Sequence, residues 1–261
     1  MVQPIFRFAP SPNGPLHMGH AFSALFGARA AARAGGLYLL RIEDIDTLRC
    51  REGFIADAVE ILDWLGVRFD GALRRQSAHM DDYARAIAAL QRQGLLYPCH
   101  CTRSGLSRDR LDPDGAPLHA GRCAPGSGPF ALRLDMARAL QRGLSFLEAS
   151  DARMIEADPA LWGDVVIARK DIGTSYHLSV VVDDALQGVT HVTRGRDLFM
   201  ATHVHRLLQA LLGLPTPIYH HHDLIRDDAG RKLSKSDGDK SLAALWAEGV
   251  TAAELRAALG F

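Results

Sequence analysis

The sequence predicts an α/β protein built on a doubly wound parallel sheet, and three observations carry that expectation. Short apolar strands alternate with helical patterns from the N-terminus onward. Leu37 to Ile42 is a nearly continuous apolar run, as a parallel strand buried on both faces requires. The first strand leads through a Pro- and Gly-rich loop directly into a helix, the arrangement that presents ligands at strand ends. At 261 residues and 48% hydrophobic, the chain can bury a substantial core, with room for one large domain or one plus an insert.

The elements follow in order. Ile5-Phe6-Arg7-Phe8 reads as a short strand, and Ala9-Pro10-Ser11-Pro12-Asn13-Gly14-Pro15 as a loop. An Ala-rich helix spans about 18–33 and is ended by Gly35-Gly36. After the strand at 37–42, Glu43, Asp44 and Asp46 place three carboxylates where such sheets hold their ligands. Helical patterns recur near 52–65 and 79–93. From Tyr97 to about Gly128 the pattern breaks into Pro, Gly, Cys and Asp, an insert too poor in apolar residues to hold itself together. Strands are expected again near 130–134, 164–169 and 178–183, then a helix near 198–212, a short strand at Pro217-Ile218-Tyr219, and weak helices over 240–259. The expected organisation is therefore 1–96 as the first half of the main domain, 97–128 as the insert, 129–239 as its second half with an acceptor-binding region, and 240–261 as short helices.

Several classes are disfavoured. A formal net charge of zero argues against a generic polyanion binder, though a local Arg patch could still hold one nucleic acid. No apolar run approaches bilayer length, and Met1-Val2-Gln3-Pro4 runs into a strand rather than a signal peptide. Three of the four cysteines lie between 99 and 123, which does not suit a secreted disulfide framework. A cytoplasmic monomer is expected.

Chemistry concentrates in two strings. His17-Met18-Gly19-His20 opens the first helix, where unpaired N–H groups and a positive dipole end favour phosphate. His17 and His20, three apart, can face one ligand, while Gly14 and Gly19 allow close approach. Lys232-Leu233-Ser234-Lys235-Ser236 lies in a polar loop and uses two of only four lysines in a chain otherwise rich in arginine. A compact, flexible ammonium suits a phosphate that moves. Both strings fit a nucleotide triphosphate.

The insert carries Cys99-His100-Cys101 and His119-Ala120-Gly121-Arg122-Cys123. Two close ligand pairs suit a tetrahedral structural zinc held by Cys99, Cys101, His119 and Cys123, with His100 as a rival ligand. Cys50 stands alone and reads as packing. His220-His221-His222 reads as an exposed polar edge at a strand end.

The segment 9–20 resembles the HIGH region of class I aminoacyl-tRNA synthetases, and 232–236 their KMSKS loop. Arg41-Ile42-Glu43-Asp44-Ile45-Asp46, the segment 176–184 and Thr190-His191-Val192-Thr193-Arg194-Gly195 narrow the resemblance to the glutamyl and glutaminyl branch, over about residues 4–240. It implies a Rossmann-type catalytic domain that forms an aminoacyl-adenylate from ATP, with Mg2+ accompanying the nucleotide. His17, Gly19 and His20 would line the α-phosphate side, and Lys235, assisted by Lys232, would follow the departing phosphates. Glutamate would be held by Arg7, backbone of Ala9, Ser11, Glu43, Tyr176 and Arg194. The family's insert also carries a zinc site.

Only 25 residues follow Ser236, so no anticodon-binding domain is expected. The chain thereby resembles the truncated glutamyl-Q tRNA(Asp) synthetases, which attach glutamate to queuosine in the anticodon of tRNA(Asp). A shortened glutamyl-tRNA synthetase charging a 3′ end, and an ATP-dependent ligase joining an amino acid to a small molecule, are the alternatives left by the motifs.

Overall fold

The computed structural model describes residues 3–102, 105–119, 121–123, 126–225 and 240–261. Along the chain run β1 (Ile5–Phe8), α1 (Met18–Arg33), β2 (Leu37–Ile42), α2 (Glu52–Trp64), β3 (Arg74–Arg75), α3 (Met80–Arg92), β4 (Leu96–Cys99) and β5 (Ala131–Leu134). There follow α4 (Met136–Ala139), β6 (Ser145–Glu148), β7 (Arg153–Glu156), β8 (Val166–Ala168), α5 (Tyr176–Leu186), β9 (His191–Gly195), α6 (Ala201–Leu212), β10 (Ile218–His222), α7 (Leu242–Ala247) and α8 (Ala252–Ala258). Two compact units divide the chain: one takes Met1–Ala78, Val189–Asp197 and Ile218–Phe261, the other His79–Gly188 and Leu198–Pro217.

In the first unit the strands lie in the order β3-β2-β1-β9-β10, and their pairings are parallel. β1 has β2 on one side and β9 on the other, so the winding reverses beside β1, the place where sheets of this kind bind ligands. Register then assigns every side chain to a face, because neighbours two apart share one. Phe6 is level with His191, Arg7 with Leu39, and Arg194 with His221. Arg7, Arg41, Arg194 and His221 therefore share one face, and Tyr38, Thr193, His220 and His222 the other.

Helix α1 covers the second face. Gly27 lets it sit close: a Cβ there would lie 2.5 Å from the Tyr38 hydroxyl and 2.9 Å from Thr193 Oγ1. That hydroxyl donates to the Ala24 carbonyl at 2.9 Å, and His222 Nε2 lies 3.0 Å from Ser23 Oγ. The core of the unit joins Phe6, Phe8, Leu25, Leu40 and Ile42 to Ile55, Leu62 and Leu65 of the α2 region and to Leu242 and Leu255 near the C-terminus.

In the second unit β4, β5 and β8 form an antiparallel sheet, and β6 pairs with β7 as a hairpin. Here α3, α5 and α6 pack together, with the fully buried Tyr83 donating to Asp183 Oδ2 at 2.8 Å.

Two expectations are corrected. The run 178–183 is not a strand but the body of α5, capped by the Ser175 side chain. Leu178 through Asp184 are all buried, so neither a period of two nor one of 3.6 is visible in the sequence, and β-branched composition misleads. His220-His221-His222 is not an exposed edge: it ends β10, with His221 only 1% and His222 8% exposed. No helix among the described residues is long and apolar enough to cross a membrane.

The close packing at Gly27 gives a paired test. Gly27→Ala is expected to destabilise by about 1–3 kcal/mol, since the added methyl meets Tyr38 and Thr193. Gly53→Ala, in α2 with open space around it, is expected to stabilise by about 0.5–1 kcal/mol. Urea denaturation of both variants measures the two signs.

Candidate active site and metal centre

The residues expected to hold the nucleotide assemble at the start of α1. His17 is its N-cap in extended conformation, and its Nδ1 accepts the Gly19 N–H at 3.1 Å. His20 Nδ1 in turn accepts the His17 N–H at 3.2 Å, so two histidines form a reciprocal capping box. Their ring centroids stand 4.0 Å apart. A ring whose Nδ1 accepts a hydrogen bond is neutral and carries its proton on Nε2. Both rings are thus neutral Nε2–H donors at a positive helix end. Gly19 makes this possible, because a Cβ would lie 3.0 Å from the His17 ring.

The loops beyond β1 and β2 are tied together by Glu43 N–H donating to the Pro10 carbonyl at 3.0 Å. Arg7 is 4% exposed and donates from Nη1 to the Thr193 carbonyl at 3.2 Å. Arg194 is equally buried and donates from Nε to His221 Nε2 at 3.1 Å; it lies within β9 rather than after it. Glu43, 7% exposed, accepts from Nη2 of the fully buried Arg41 at 3.1 Å. Ala9 and Ser11, half-buried, follow β1 in the same unit. Tyr176 belongs to the second unit, where it begins α5 and packs its ring near His177 and His205 at 5.6 and 5.5 Å. Lys232 and Lys235 lie outside the described residues. Beyond that segment, the Leu242 N–H donates to the Leu16 carbonyl at 2.9 Å, directly before His17.

The three carboxylates after β2 have different partners. Asp44 accepts from Arg75 Nη2 at 2.8 Å and from the backbone and hydroxyl of Ser77 at 2.9 and 2.7 Å. Asp46 accepts from Arg49 Nε at 2.7 Å. Both hold turns, whereas Glu43 pairs with Arg41, on the face that also carries Arg7 and Arg194. Cys50 is buried, its Sγ 3.8 Å from the Glu43 carbonyl, in keeping with packing.

In the second unit Cys99, Cys101, His119 and Cys123 bring one donor atom each within 4.8 Å of one another. His119 Nε2 lies 3.4 Å from Cys99 Sγ and 3.1 Å from Cys123 Sγ, whose sulfur is 3.1 Å from Cys101 Sγ. Bond lengths of about 2.0 and 2.3 Å around tetrahedral zinc set ligand separations of roughly 3.5–3.8 Å, close to these distances. His100 is not among the converging groups; its ring packs against Phe130 at 5.7 Å.

A supporting shell fixes His119. Its Nδ1 lies 3.3 Å from the Tyr97 hydroxyl, which donates to Asp164 Oδ2 at 2.6 Å. Asp164 also accepts the backbone N–H of Gly121 and Met136. Such partners set the tautomer that turns Nε2 toward a metal. Arg133 Nε donates to Cys99 Sγ at 3.3 Å. Burial opposes ionisation of Cys99, yet hydrogen bonds from Cys123, the Cys101 backbone and Arg133 bring its thiol below the usual range. Burial and the neighbouring thiols push Cys123 up to about 12. Crowded thiols of this kind are relieved by a cation.

Residues 5–122 and 129–258 match the family of class I tRNA synthetases (E and Q), catalytic domain. The chain belongs to this family. A protein of Rhodobacter capsulatus named glutamyl-Q tRNA(Asp) synthetase is 46% identical, over 98% of this chain and 99% of its own. One of the same name from Geobacter sulfurreducens is 41% identical, over 92% of this chain and 78% of its own. Among solved structures, a glutamate tRNA ligase of Elizabethkingia meningosepticum, crystallised with its amino acid, superposes with a TM-score of 0.76 at 28% identity. The match covers 91% of this chain and 53% of that ligase, so the chain spans about half its length.

As a class I synthetase domain, the chain has neighbours around its candidate site that residue chemistry alone does not single out. Arg41, His221, Tyr97 and Asp164 were not among the expected site residues. Strand parity is the signal that finds the first two: Arg41 is two beyond the partner of Arg7, and His221 is the register partner of Arg194. Removing one side of a buried ion pair strands the other. Arg41→Met is therefore expected to cost about 3–5 kcal/mol in urea denaturation, and the double change Arg41→Met with Glu43→Gln to recover part of that loss. A single variant as stable as the wild type would contradict the pairing.

Proposed function

We propose that this chain activates glutamate with ATP and transfers it to queuosine in the anticodon of tRNA(Asp). The observation that carries the acceptor is the similarity, over 98% and 92% of the chain, to two proteins named glutamyl-Q tRNA(Asp) synthetase. Glutamate is supported by the matched family and by the related ligase crystallised with its amino acid. ATP and tRNA as substrates belong to the cytoplasm, and we assign the protein there.

The residues suit the chemistry. The glutamate α-carboxylate attacks the α-phosphorus of ATP, the bond to pyrophosphate breaks, and glutamyl-adenylate forms. No protein nucleophile is needed, so positioning and charge stabilisation carry the rate. His17 and His20 would donate from Nε2 on the α-phosphate side, while Lys235 and Lys232 would follow the leaving pyrophosphate. Bound with ATP, Mg2+ neutralises part of the phosphate charge. Arg7 and Arg194 would take the γ-carboxylate, Glu43 the ammonium, and the Ser11 and Tyr176 hydroxyls and the Ala9 backbone would complete the contacts. A hydroxyl of the queuosine diol then attacks the mixed-anhydride carbonyl, and AMP leaves. Aspartate, one methylene shorter, would leave buried charge poorly paired.

Labelled glutamate is expected to enter tRNA(Asp) that carries queuosine and not the unmodified transcript. Efficient charging of tRNA(Glu) at its 3′ end would instead make this a shortened glutamyl-tRNA synthetase.

We further infer that Cys99, Cys101, His119 and Cys123 hold one structural zinc. Burial and the neighbouring thiols hold the Cys123 thiol above its ordinary range, and it must lose its proton to bind metal, so binding is expected to release protons and to weaken as pH falls. Calorimetric zinc titrations in buffers of different ionisation enthalpy measure that release. Protein purified without chelator and containing no zinc by elemental analysis would contradict the assignment.

A further inference from the structure

We propose that His221 is a positioning residue for Arg194, holding its guanidinium in the orientation that reads the substrate's side-chain carboxylate and so sharpening the preference for glutamate over glutamine. The inference rests on the assignment of Arg194 to glutamate made above.

Arg194 and His221 are register partners on β9 and β10, so their side chains leave the sheet side by side. Arg194 Nε lies 3.1 Å from His221 Nε2, and the two residues are 4% and 1% exposed. An arginine Nε only donates, which makes His221 Nε2 the acceptor and the imidazole neutral. The guanidinium also lies over an aromatic ring: Arg194 Cζ is 5.3 Å from the Tyr219 ring centroid. That ring is in turn parallel to the His221 ring within 4°, at 6.0 Å. Tyr219 and His221, two apart on one strand, thus hold the guanidinium through an aromatic ring near Cζ and a hydrogen bond at Nε.

With Nε committed to His221, Arg194 can turn only its Nη1–Nη2 edge toward a carboxylate, the geometry of a two-point fork. A fork fixed before binding spares the entropy of ordering a long side chain. It also raises the cost of a wrong ligand. The amide NH2 of glutamine would set a donor against fixed donors and leave buried charge unpaired, whereas a guanidinium free to turn could avoid that clash.

The test is ATP–pyrophosphate exchange with the full chain and tRNA(Asp) present throughout, comparing wild type, His221→Leu and His221→Gln with glutamate and glutamine as separate substrates. Removing a hydrogen bond to a charged group shifts binding roughly ten- to a hundredfold. His221→Leu is expected to raise the glutamate KM on that scale, to leave the ATP KM within about twofold, and to lower the ratio of kcat/KM for glutamate over glutamine. His221→Gln, whose amide oxygen can accept from Nε, is expected to recover most of both losses. The inference is overturned if His221→Leu leaves the glutamate KM and the ratio unchanged, if the KM values for glutamate and ATP rise together, or if His221→Gln is no better than His221→Leu. Wild-type protein with no glutamate-dependent exchange would overturn the glutamate reading itself, and this inference with it.

Discussion

Burying guanidinium groups on the face of a parallel sheet is the constraint from which most of this structure follows. Arg7, Arg41 and Arg194 rise from three adjacent strands onto one face, each at most 4% exposed. A charge in such surroundings persists only where hydrogen-bonding partners are fixed in advance. Here they are the Thr193 carbonyl, the Glu43 carboxylate and the His221 ring. Each partner comes from a neighbouring strand or from the residue just past a strand end. Strand order and register are therefore part of the chemistry.

The opposite face shows the complementary solution. Phe6, Phe8, Leu40 and Ile42 form the apolar floor on which α1 lies, close enough that Gly27 touches Tyr38 and Thr193. Packing there fixes the axis of α1, and the axis fixes where its first turn points. The histidine pair at that turn satisfies backbone donors of the helix while remaining neutral. One local motif thus ends the loop, starts the helix and orients two rings.

Much of this was legible in the sequence where the signal is local. The strand at 37–42, the Ala-rich helix and each of the two donor pairs, 99/101 and 119/123, are encoded within a short stretch, and the structure brings the two pairs together. Legibility failed where meaning depends on distant neighbours. The run 178–183 is buried on all sides as a helix and so carries no period. The β6–β7 hairpin escaped notice because its turn, Ala149 to Ala152, has neither Gly nor Pro, and Ala152 itself takes a φ of 52°. Asp44 and Asp46 looked like Glu43 until the positions of Arg75, Ser77 and Arg49 separated them.

The alternation along β10 has a consequence for how the chain tolerates change. His220 and His222 meet the aromatic and hydroxyl groups of α1, with His220 edge-on to Phe26 at 4.8 Å, while His221 alone meets the arginine face. Three identical residues in a row therefore hold two different posts, and identity at each position says nothing of which post it fills. Adding or deleting one residue between Leu214 and Ile218 could be absorbed by the connection, but the same change inside the strand would exchange the posts. A shift of the whole strand by one residue would still set a histidine opposite Arg194, but it would carry Tyr219 to the other face, away from the guanidinium. Length, more than letter, is what this strand has to preserve.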